Sequence, residues 1–397
     1  MYPVNEPKHR VLFISPQPFF EWRGSPIRIS FNLRALVDLG YQVDILTFPV
    51  GRDIDIPGVR IIRVPNIFFV KDVAIGPSWV KAGLDVLLAF WALALALRHR
   101  YRIIHAVEEA GTIGLLVARL TGSGLIFEKH SDPASFRKGK FKNMVLDVYG
   151  RVERFTARRA DAVICTGPGL TEQIRLLAGQ KRVHHIFDIP SSLSESGESD
   201  VKRVRADLAD DPNAMLITYV GSFAVYQGVD LLFESIPRVV HKHGHAKFIV
   251  IGASPENIAF RKKWLTEQGI NNGVTFLDRI PPDELPDYLS ASDVLLSPRL
   301  SGVNTPLKLL DYLKSGSAVL AANTPANRLI LNEDNALLVK PQPEEFAAGI
   351  CRLLEEPQLR KRLGQSGRKL IDTKFHYEGF KDRLRACYDE IIAEKAR

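Results

Sequence analysis

Short runs of apolar residues alternate along this chain with stretches whose apolar residues recur every three or four positions. The first run, Val11–Ile14, has no polar residue within it, as in a strand covered on both faces. Ile27–Leu39 follows with helical spacing, because Ile27, Phe31, Leu33, Leu36 and Val37 fall largely on one side, and Gly40 is a stop signal. Val43–Thr47, Val59–Val64, Ile103–Ala106, Leu125–Phe127 and Ala162–Cys165 read as further strands. Thr112–Leu120 and Phe141–Arg159 read as helices. The alternation then lapses over 188–213, where DIPSSLSESGESD is almost free of apolar residues and looks like a linker or exposed loop. It resumes with strands Leu216–Val220, Lys247–Ile251, Val274–Leu277, Val294–Ser297 and Ala318–Ala321. Helices Val229–Val239, Ala259–Gln268, Pro282–Ser290 and Pro306–Ser315 lie among them, and Glu344–Leu370 and Phe380–Glu394 close the chain. Two rounds of strand–helix alternation predict an α/β protein of two Rossmann-like domains, over 1–187 and 214–373. Ligands bind such sheets beyond the carboxyl ends of the strands, and two such ends facing each other make a cleft.

Val86–Leu97 is an uninterrupted uncharged run of twelve residues with Asp85 before it and Arg98-His99-Arg100 after it. A membrane span needs about 20 apolar residues, so the run reads as a buried or interfacial helix. Composition agrees with a soluble globular protein: 397 residues, 46% apolar and 25% charged, which argues against disorder. The three cysteines are far apart with no C-x-x-C, so neither a disulfide framework nor a cysteine zinc site is expected. A polar N-terminus running into the first strand carries no secretory pattern. Cytoplasmic residence follows as the expectation.

The net charge of +8 narrows the partners to nucleic acid, anionic membrane or phosphorylated substrates. Much of the excess lies at 137–159, where eight Lys/Arg stand against Asp147 and Glu153. Phe136, Phe141, Met144, Val145, Val148, Tyr149 and Val152 interleave. That pattern suits a basic amphipathic region on an anionic membrane, or a docked core helix with one solvated basic face. No nucleic-acid motif accompanies it.

Several chemistries are missing from the motifs. No G-x-G-x-x-G follows a strand, and Walker, H-E-x-x-H and G-x-S-x-G sequences are absent. His241, His243 and His245 read as a solvated turn rather than a metal site. The informative stretch is Asp293–Ala322. There a strand ends at Ser297, a loop of Pro, Gly, Asn and Thr follows, and a helix starts at Pro306 with Asn304 or Thr305 as cap. A helix start at the end of a parallel strand offers free N–H groups and a positive dipole end. Arg299 and Lys308 oppose that dipole. A bound phosphate or diphosphate would explain them; the alternative is that both are solvated. Asp311, three residues beyond Lys308, suits ribose hydroxyls or a surface pair with that lysine.

This segment resembles the donor-site signature of the retaining GT-B glycosyltransferases of family 4. Asp311, Gly316 and the following strand take the places of the second Glu of the E-x7-E motif, the helix-ending Gly and the P-V-V-A strand. The resemblance extends over nearly the whole chain. Gly24-Ser25-Pro26, the helix after it, Gly40 and YQVDILT match the first glycine loop, helix, turn and second strand, and EKHSDP at 128–133 follows a strand as the acceptor-side His does. The chain departs where Gly302 or Val303 replaces the first Glu, and where Gln227, in GSFAVYQGVDLL, replaces a lysine. The P-R-x-x-G-x-N-T-P-L-K sequence marks a divergent branch that moves the diphosphate charges onto Arg299 and Lys308.

The resemblance implies a GT-B fold with its last helix, 374–397, crossing back to the first domain. It implies transfer of a sugar from a nucleotide-diphosphate donor to a saccharide or lipid-linked acceptor, with retention and without a bound cofactor. Gly24, Ser25, Gly221, Ser222, Gln227, Asn304, Thr305, Pro306, Leu307 and Asp311 would hold the donor. His130, Arg299 and Lys308 would serve the reaction. Of Glu108 and Glu109, Glu109 is the better candidate to face the cleft, and Asn323, Thr324 and Arg328 would line the sugar pocket or cap the next turn. With two cations and a helix start to neutralise the leaving group and no D-x-D in a likely loop, no metal is expected. The setting implied is surface-polysaccharide or glycolipid synthesis on the inner face of the plasma membrane. An inactive scaffold, a sugar-nucleotide epimerase and a nucleic-acid-binding protein are the competing readings.

Overall fold

The computed structural model describes residues 9–21, 24–73, 78–131, 140–178, 182–209, 211–302 and 305–395; for 140–146 it describes the backbone alone. The chain divides into two compact units, Met1–Asp188 with Glu378–Arg397, and Ile189–Tyr377.

The first unit contains β1 (Arg10–Ser15), α1 (Gly24–Asp38), β2 (Gln42–Thr47), β3 (Val59–Arg63), α2 (Trp79–Arg98), β4 (Ile103–Val107), α3 (Ala110–Thr121), β5 (Gly124–Lys129), α4 (Lys140–Arg159), β6 (Ala162–Cys165), α5 (Pro168–Ala178) and β7 (Val183–His185). Its seven strands pair in parallel in the order β3-β2-β1-β4-β5-β6-β7. The order reverses direction between β1 and β4, so the loops after these strands open the crevice where such sheets take ligands. Helices cover both faces, which is why β1 and, apart from the buried His105, β4 are apolar without alternation. α2 to α5 pack on the face formed by Leu12, Leu46, Ile104, Phe127 and Val163.

The second unit contains α6 (Glu198–Leu208), β8 (Met215–Val220), α7 (Val229–Lys242), β9 (Ala246–Ile251), α8 (Pro255–Glu267), β10 (Val274–Leu277), α9 (Leu285–Ser290), β11 (Val294–Ser297), α10 (Leu307–Ser315), β12 (Ala318–Ala322), β13 (Leu337–Val339), α11 (Pro343–Glu355) and α12 (Pro357–Lys374). The sheet order is β10-β9-β8-β11-β12-β13, again parallel. The switch point falls between β8 and β11. The last helix, α13 (Tyr377–Lys395), packs in the first unit. There Tyr388 meets His105, and Arg28 lies over the Phe380 ring.

Four departures from the sequence reading have physical causes. The supposed linker holds α6, which buries only Val204. Its anchor is polar: Arg205 donates to the carbonyls of Ala291 and Ala214 and pairs with Asp293. Glu198 and Asp200 suit the N-terminal dipole of α6. Glu344–Leu370 is two helices, because Pro357 opens α12 and forces Glu356 out of helical geometry. Pro306 is the N-cap residue of α10 rather than its first turn, and among the described residues no side chain caps that helix; Asn304 lies outside the described residues. The run Val86–Leu97 is the interior of a 20-residue helix capped by Ser78, whose side chain accepts from the Lys81 N–H. The short β7 and β13 offered too few residues to show a pattern, and α5, with Leu170, Ile174, Leu176 and Leu177 at helical spacing, was missed.

Candidate active site

Three loops of the second unit follow β8, β11 and β12, and hydrogen bonds bind them together. The Leu300 N–H donates to the Tyr226 carbonyl at 3.0 Å. Gly228 makes this approach possible, since a Cβ there would lie 2.0 Å from the Pro298 carbonyl oxygen. From the third loop, the fully buried Asn327 donates to the carbonyls of Ser297, Arg299 and Ala322. The Thr324 hydroxyl donates to the Arg299 carbonyl at 3.1 Å. Thr324 is therefore engaged in holding the arginine's backbone. Arg328 donates to Asn323 and pairs with Glu333 on an exposed turn. These contacts fit the turn-capping alternative for 323–328.

This frame holds two cations that have no carboxylate in ion-pair contact among the described residues. Arg299 folds back over Gly302, where a Cβ would lie 1.9 Å from its Nη2, and its Nε donates to the Ser301 carbonyl. Absence of a side chain at 302, where the family motif has its first Glu or the residue before it, is what leaves room for the guanidinium. Lys308 Nζ stands 4.4 Å from the Tyr219 ring centroid and donates to Gln227 Oε1 at 3.1 Å. Burial, and then the Arg299 charge, pull Lys308 down to about 7; burial also lowers Arg299. A Cβ on Gly221 would touch Tyr219 Oη at 3.0 Å and Lys308 Nζ at 3.4 Å. Lys308 sits in the first turn of α10, whose uncapped N–H groups begin at Leu307. Gly221, Gln227, Arg299, Leu307 and Lys308 thus form one anion-seeking corner. Ser222 adjoins it with its carbonyl, which accepts from Tyr219 Oη at 2.8 Å, and Thr305 and Pro306 lead into the helix.

Asp311 faces elsewhere. Its Oδ1 accepts from the Ser191 N–H at 2.6 Å, and burial pushes its carboxyl up to about 6. Lys308 reaches the 219–227 loop instead, so the i,i+3 surface pair considered from the sequence does not form. Asp311, Lys314, Arg368 and the serines 191, 192 and 194 line a small pocket, where Lys314 donates to the Ser192 and Ser194 carbonyls.

In the first unit the polar residues gather at the end of β5. His130 Nδ1 lies 2.5 Å from Ser25 Oγ, in the turn after Gly24 that opens α1, and its Nε2 lies 3.3 Å from Glu128 Oε1. Glu128 is fully buried and accepts from Arg28 at 2.5 Å, Asn32 at 2.7 Å and His105 at 2.9 Å. Burial acts to raise it, but Arg28 and then His130 hold it well below the ordinary carboxylate range. Arg28 also pairs with Asp188 at 2.8 Å. Glu108, at φ 51, accepts from the His130 N–H and the Ser131 hydroxyl. Glu109, the sequence's better candidate, instead precedes α3 and pairs with Lys81. The sequence reading missed Glu128, Arg28 and the role of Glu108. A partial signal existed: His105 is the one polar residue of β4, and Glu128 ends the apolar run of β5, whereas Arg28 and Asn32 lie in a helix with several other polar residues.

The basic stretch at 137–159 falls on α4 and on residues before it that lie outside the described ones. Glu153 turns inward to Lys129 at 2.5 Å, so it does not dilute the outer face as a charge count suggests. That face exposes Arg151, Arg154, Arg158 and Arg159 together with Val148, Val152 and Phe155. Among the described residues no His, Cys, Asp or Glu group has the arrangement of a metal site.

Residues 24–187 match the model of a glycosyl transferase 4-like domain, and residues 214–356 match that of glycosyl transferases group 1. The chain is 23% identical over 332 residues to alpha-D-kanosaminyltransferase of Streptomyces kanamyceticus, spanning 79% of this chain and 83% of that one. Sucrose-phosphate synthase of Thermosynechococcus elongatus is similar in structure, with TM-score 0.77 at 21% identity over 98% of this chain and 100% of that one. HepE of Anabaena, solved with UDP-glucose, is similar with TM-score 0.72 at 15% identity, covering 96% and 100%.

Proposed function

The chain is a GT-B glycosyltransferase, a 4-like domain followed by a group 1 domain, and on that premise we propose that it moves a sugar from a nucleoside diphosphate to an acceptor hydroxyl with retention. The observation that carries this reading is the pair of buried Arg299 and half-buried Lys308, without a carboxylate partner among the described residues, at the start of α10. Two cations held together in a low-dielectric site are costly until an anion joins them. A diphosphate does so, and HepE, of like architecture, is a protein solved with UDP-glucose.

The chemistry follows from that placement. As the bond between the anomeric carbon and the diphosphate oxygen breaks, negative charge grows on the leaving group. Arg299, Lys308 and the α10 N–H groups are already oriented to meet it, so the scheme neutralises the charge without a metal ion. The acceptor oxygen bonds to the anomeric carbon on the face the diphosphate leaves, and its proton passes to a diphosphate oxygen. Asp311 is assigned to the ribose hydroxyls, which replace its contact with the Ser191 N–H. Ser25 and His130 are assigned to the sugar or acceptor. Ser25 holds His130 Nδ1 and Glu108 holds its backbone N–H, so we assign it a positioning role rather than that of the base. The basic face of α4 would hold the enzyme at an anionic membrane, near a lipid-linked acceptor of surface-polysaccharide or glycolipid synthesis.

A thermal-shift panel of UDP-, GDP-, ADP- and TDP-sugars tests the donor assignment with wild type, Lys308→Ala and Asp311→Ala. Binding to the native state raises the midpoint. A shift with one nucleotide that both variants lose supports the reading. No shift with any, or a shift that Lys308→Ala retains in full, overturns it. Proton NMR of the product anomer decides retention, and turnover in EDTA decides the metal question.

A further inference from the structure

We propose that the outer face of α2 is a bilayer-inserting surface that seats the first unit in an anionic membrane. This deepens the membrane reading above, which rests on the electrostatics of α4, by naming the element that enters the lipid.

From Val86 to Leu97 α2 is apolar all round, whereas a surface helix of a soluble unit is polar on its outer side. Its inner stripe is Leu84, Leu88, Ala92 and Ala96, each one turn apart and packed against the sheet with Leu12, Leu46 and Ile104. Its outer face exposes Trp79 (90%), Phe90 (73%), Val86 (69%) and Leu97 (69%). By length and composition alone α2 could cross a membrane. The inner stripe decides against that, because a spanning α2 would strip the sheet of its cover. A helix tied along one side and apolar on the other lies in the plane of the interface.

Its neighbours continue the surface. Leu116 and Leu120 of α3 are more than half exposed, and Phe68 packs over the first turns of α2, where a Cβ on Gly83 would lie 3.0 Å from its ring. Every exposed large apolar side chain of the first unit, among the described residues, lies on α2 to α5 or on the 67–69 loop. α1 and α13, on the opposite face of the sheet, contribute none. An asymmetry of that kind marks an interaction surface rather than scattered exposure.

Charge selects the occupant. Arg98 and Arg100 stand at the C-terminal end of α2, Arg119 is exposed on α3, and α4 adds its four arginines. The only carboxylate within α2 and α3, Asp85, is half-buried near Glu109 and Lys81. An apolar centre with a cationic border matches acyl chains beneath anionic headgroups. A second copy of the same face would set arginines against arginines. The surface also leads to the site: Lys81 of α2 pairs with Glu109, beside the Glu108 that holds the His130 backbone. A lipid-borne acceptor seated along α2 would present its hydroxyl at that end of the sheet.

The test is flotation of the full chain with phosphatidylcholine vesicles, with and without phosphatidylglycerol, at about 0.1 M and about 1 M salt. Wild type is compared with Phe90→Glu and with Arg154→Glu/Arg158→Glu, alongside the nucleotide-sugar thermal shift. Wild type should bind anionic vesicles and keep part of that binding at high salt. Brominated phosphatidylcholine should quench its fluorescence, and Trp79→Phe should lose most of that quenching. Phe90→Glu should lower the vesicle-bound fraction by about tenfold or more, with its melting temperature and donor shift unchanged. The arginine variant should lose mainly the salt-sensitive part. Phe90→Glu binding vesicles as wild type does would overturn the insertion while leaving the α4 and donor assignments intact. Wild type ignoring vesicles, but forming dimers that Phe90→Glu dissociates, would overturn it in favour of a self-interface. Vesicle binding without any donor shift would sink the donor assignment alone.

Discussion

The two units bury charge in opposite ways. In the first, Glu128 is enclosed by Arg28, Asn32 and His105, Arg28 is shared with Asp188, and Lys129 is matched to Glu153. In the second, Arg299 and Lys308 are set together with aromatic rings, carbonyls and one amide for company. A cluster whose charges are paired within the folded chain serves the fold. An uncompensated one is incomplete until something negative arrives. The same residue types thus report structure in one place and ligand binding in the other, and the difference lies in the partner count rather than in burial.

The largest expected effect breaks the completed cluster. Glu128→Ala leaves Arg28 buried with Asp188 as its remaining carboxylate, and losing one partner of a buried pair costs about 3–5 kcal/mol. Urea unfolding should show it. A loss below about 1 kcal/mol would mean the cluster is not what holds α1 to β5. Next comes the incomplete site. Lys308→Met removes a donor aimed at the leaving group, and turnover should fall about 10²- to 10³-fold. Stability should not fall, because a desolvated charge without a carboxylate partner among the described residues has been removed. A drop in melting temperature matching that of Glu128→Ala would place Lys308 in the fold rather than in the reaction.

How far these sites could be read from the sequence follows the same division. Arg299 and Lys308 lie nine residues apart, in one loop and the helix after it, and cations at a helix start are out of place locally. Local rules therefore found them. The contact of Lys308 with Gln227 crosses 81 residues, yet the sheet order brings their two loops together, so the fold class located it. Glu128 and Arg28 are 100 residues apart; the trace of the first was a carboxylate at the end of an apolar strand, and the second lay unremarked among the other polar residues of α1. Asp311 was placed on the right helix, but its rotation toward Ser191 depends on how the 189–196 segment lies against α10. α6 escaped because its anchor is an arginine, and apolar periodicity cannot register that.

A middle-sized effect concerns pH. Free Lys308 titrates near 7, lowered by burial and then by Arg299. A diphosphate binds the charged form, so affinity holds below that pH and weakens above it. From pH 7 to 8.5 the Kd should rise about tenfold, read by calorimetry with the nucleoside diphosphate. Lys308→Arg, charged throughout, should flatten the profile. Stability without ligand runs the other way. The folded value lies below the unfolded one, so this contribution is present at high pH and is lost as pH falls through 7.

The smallest effect sharpens the contrast within the first unit, at two adjacent glutamates. Glu108 is half-buried, pushed up by burial of its carboxyl, held at positive φ and bonded to the His130 N–H and Ser131 hydroxyl. Glu109 is a quarter exposed and paired with Lys81 on α2. Composition and position cannot separate them, since both follow β4; the backbone turn does, by sending one side chain inward and the next outward. A partly solvated ion pair contributes about 0–1 kcal/mol, so Glu109→Gln should leave stability within that range and leave KM for acceptor and donor unchanged. Glu108→Ala frees the His130 N–H and should cost about 1–3 kcal/mol, with a rise in acceptor KM as His130 loses its orientation. A Glu109→Gln variant that lost turnover while keeping its melting temperature would reverse the assignment and return Glu109 to the reacting groups.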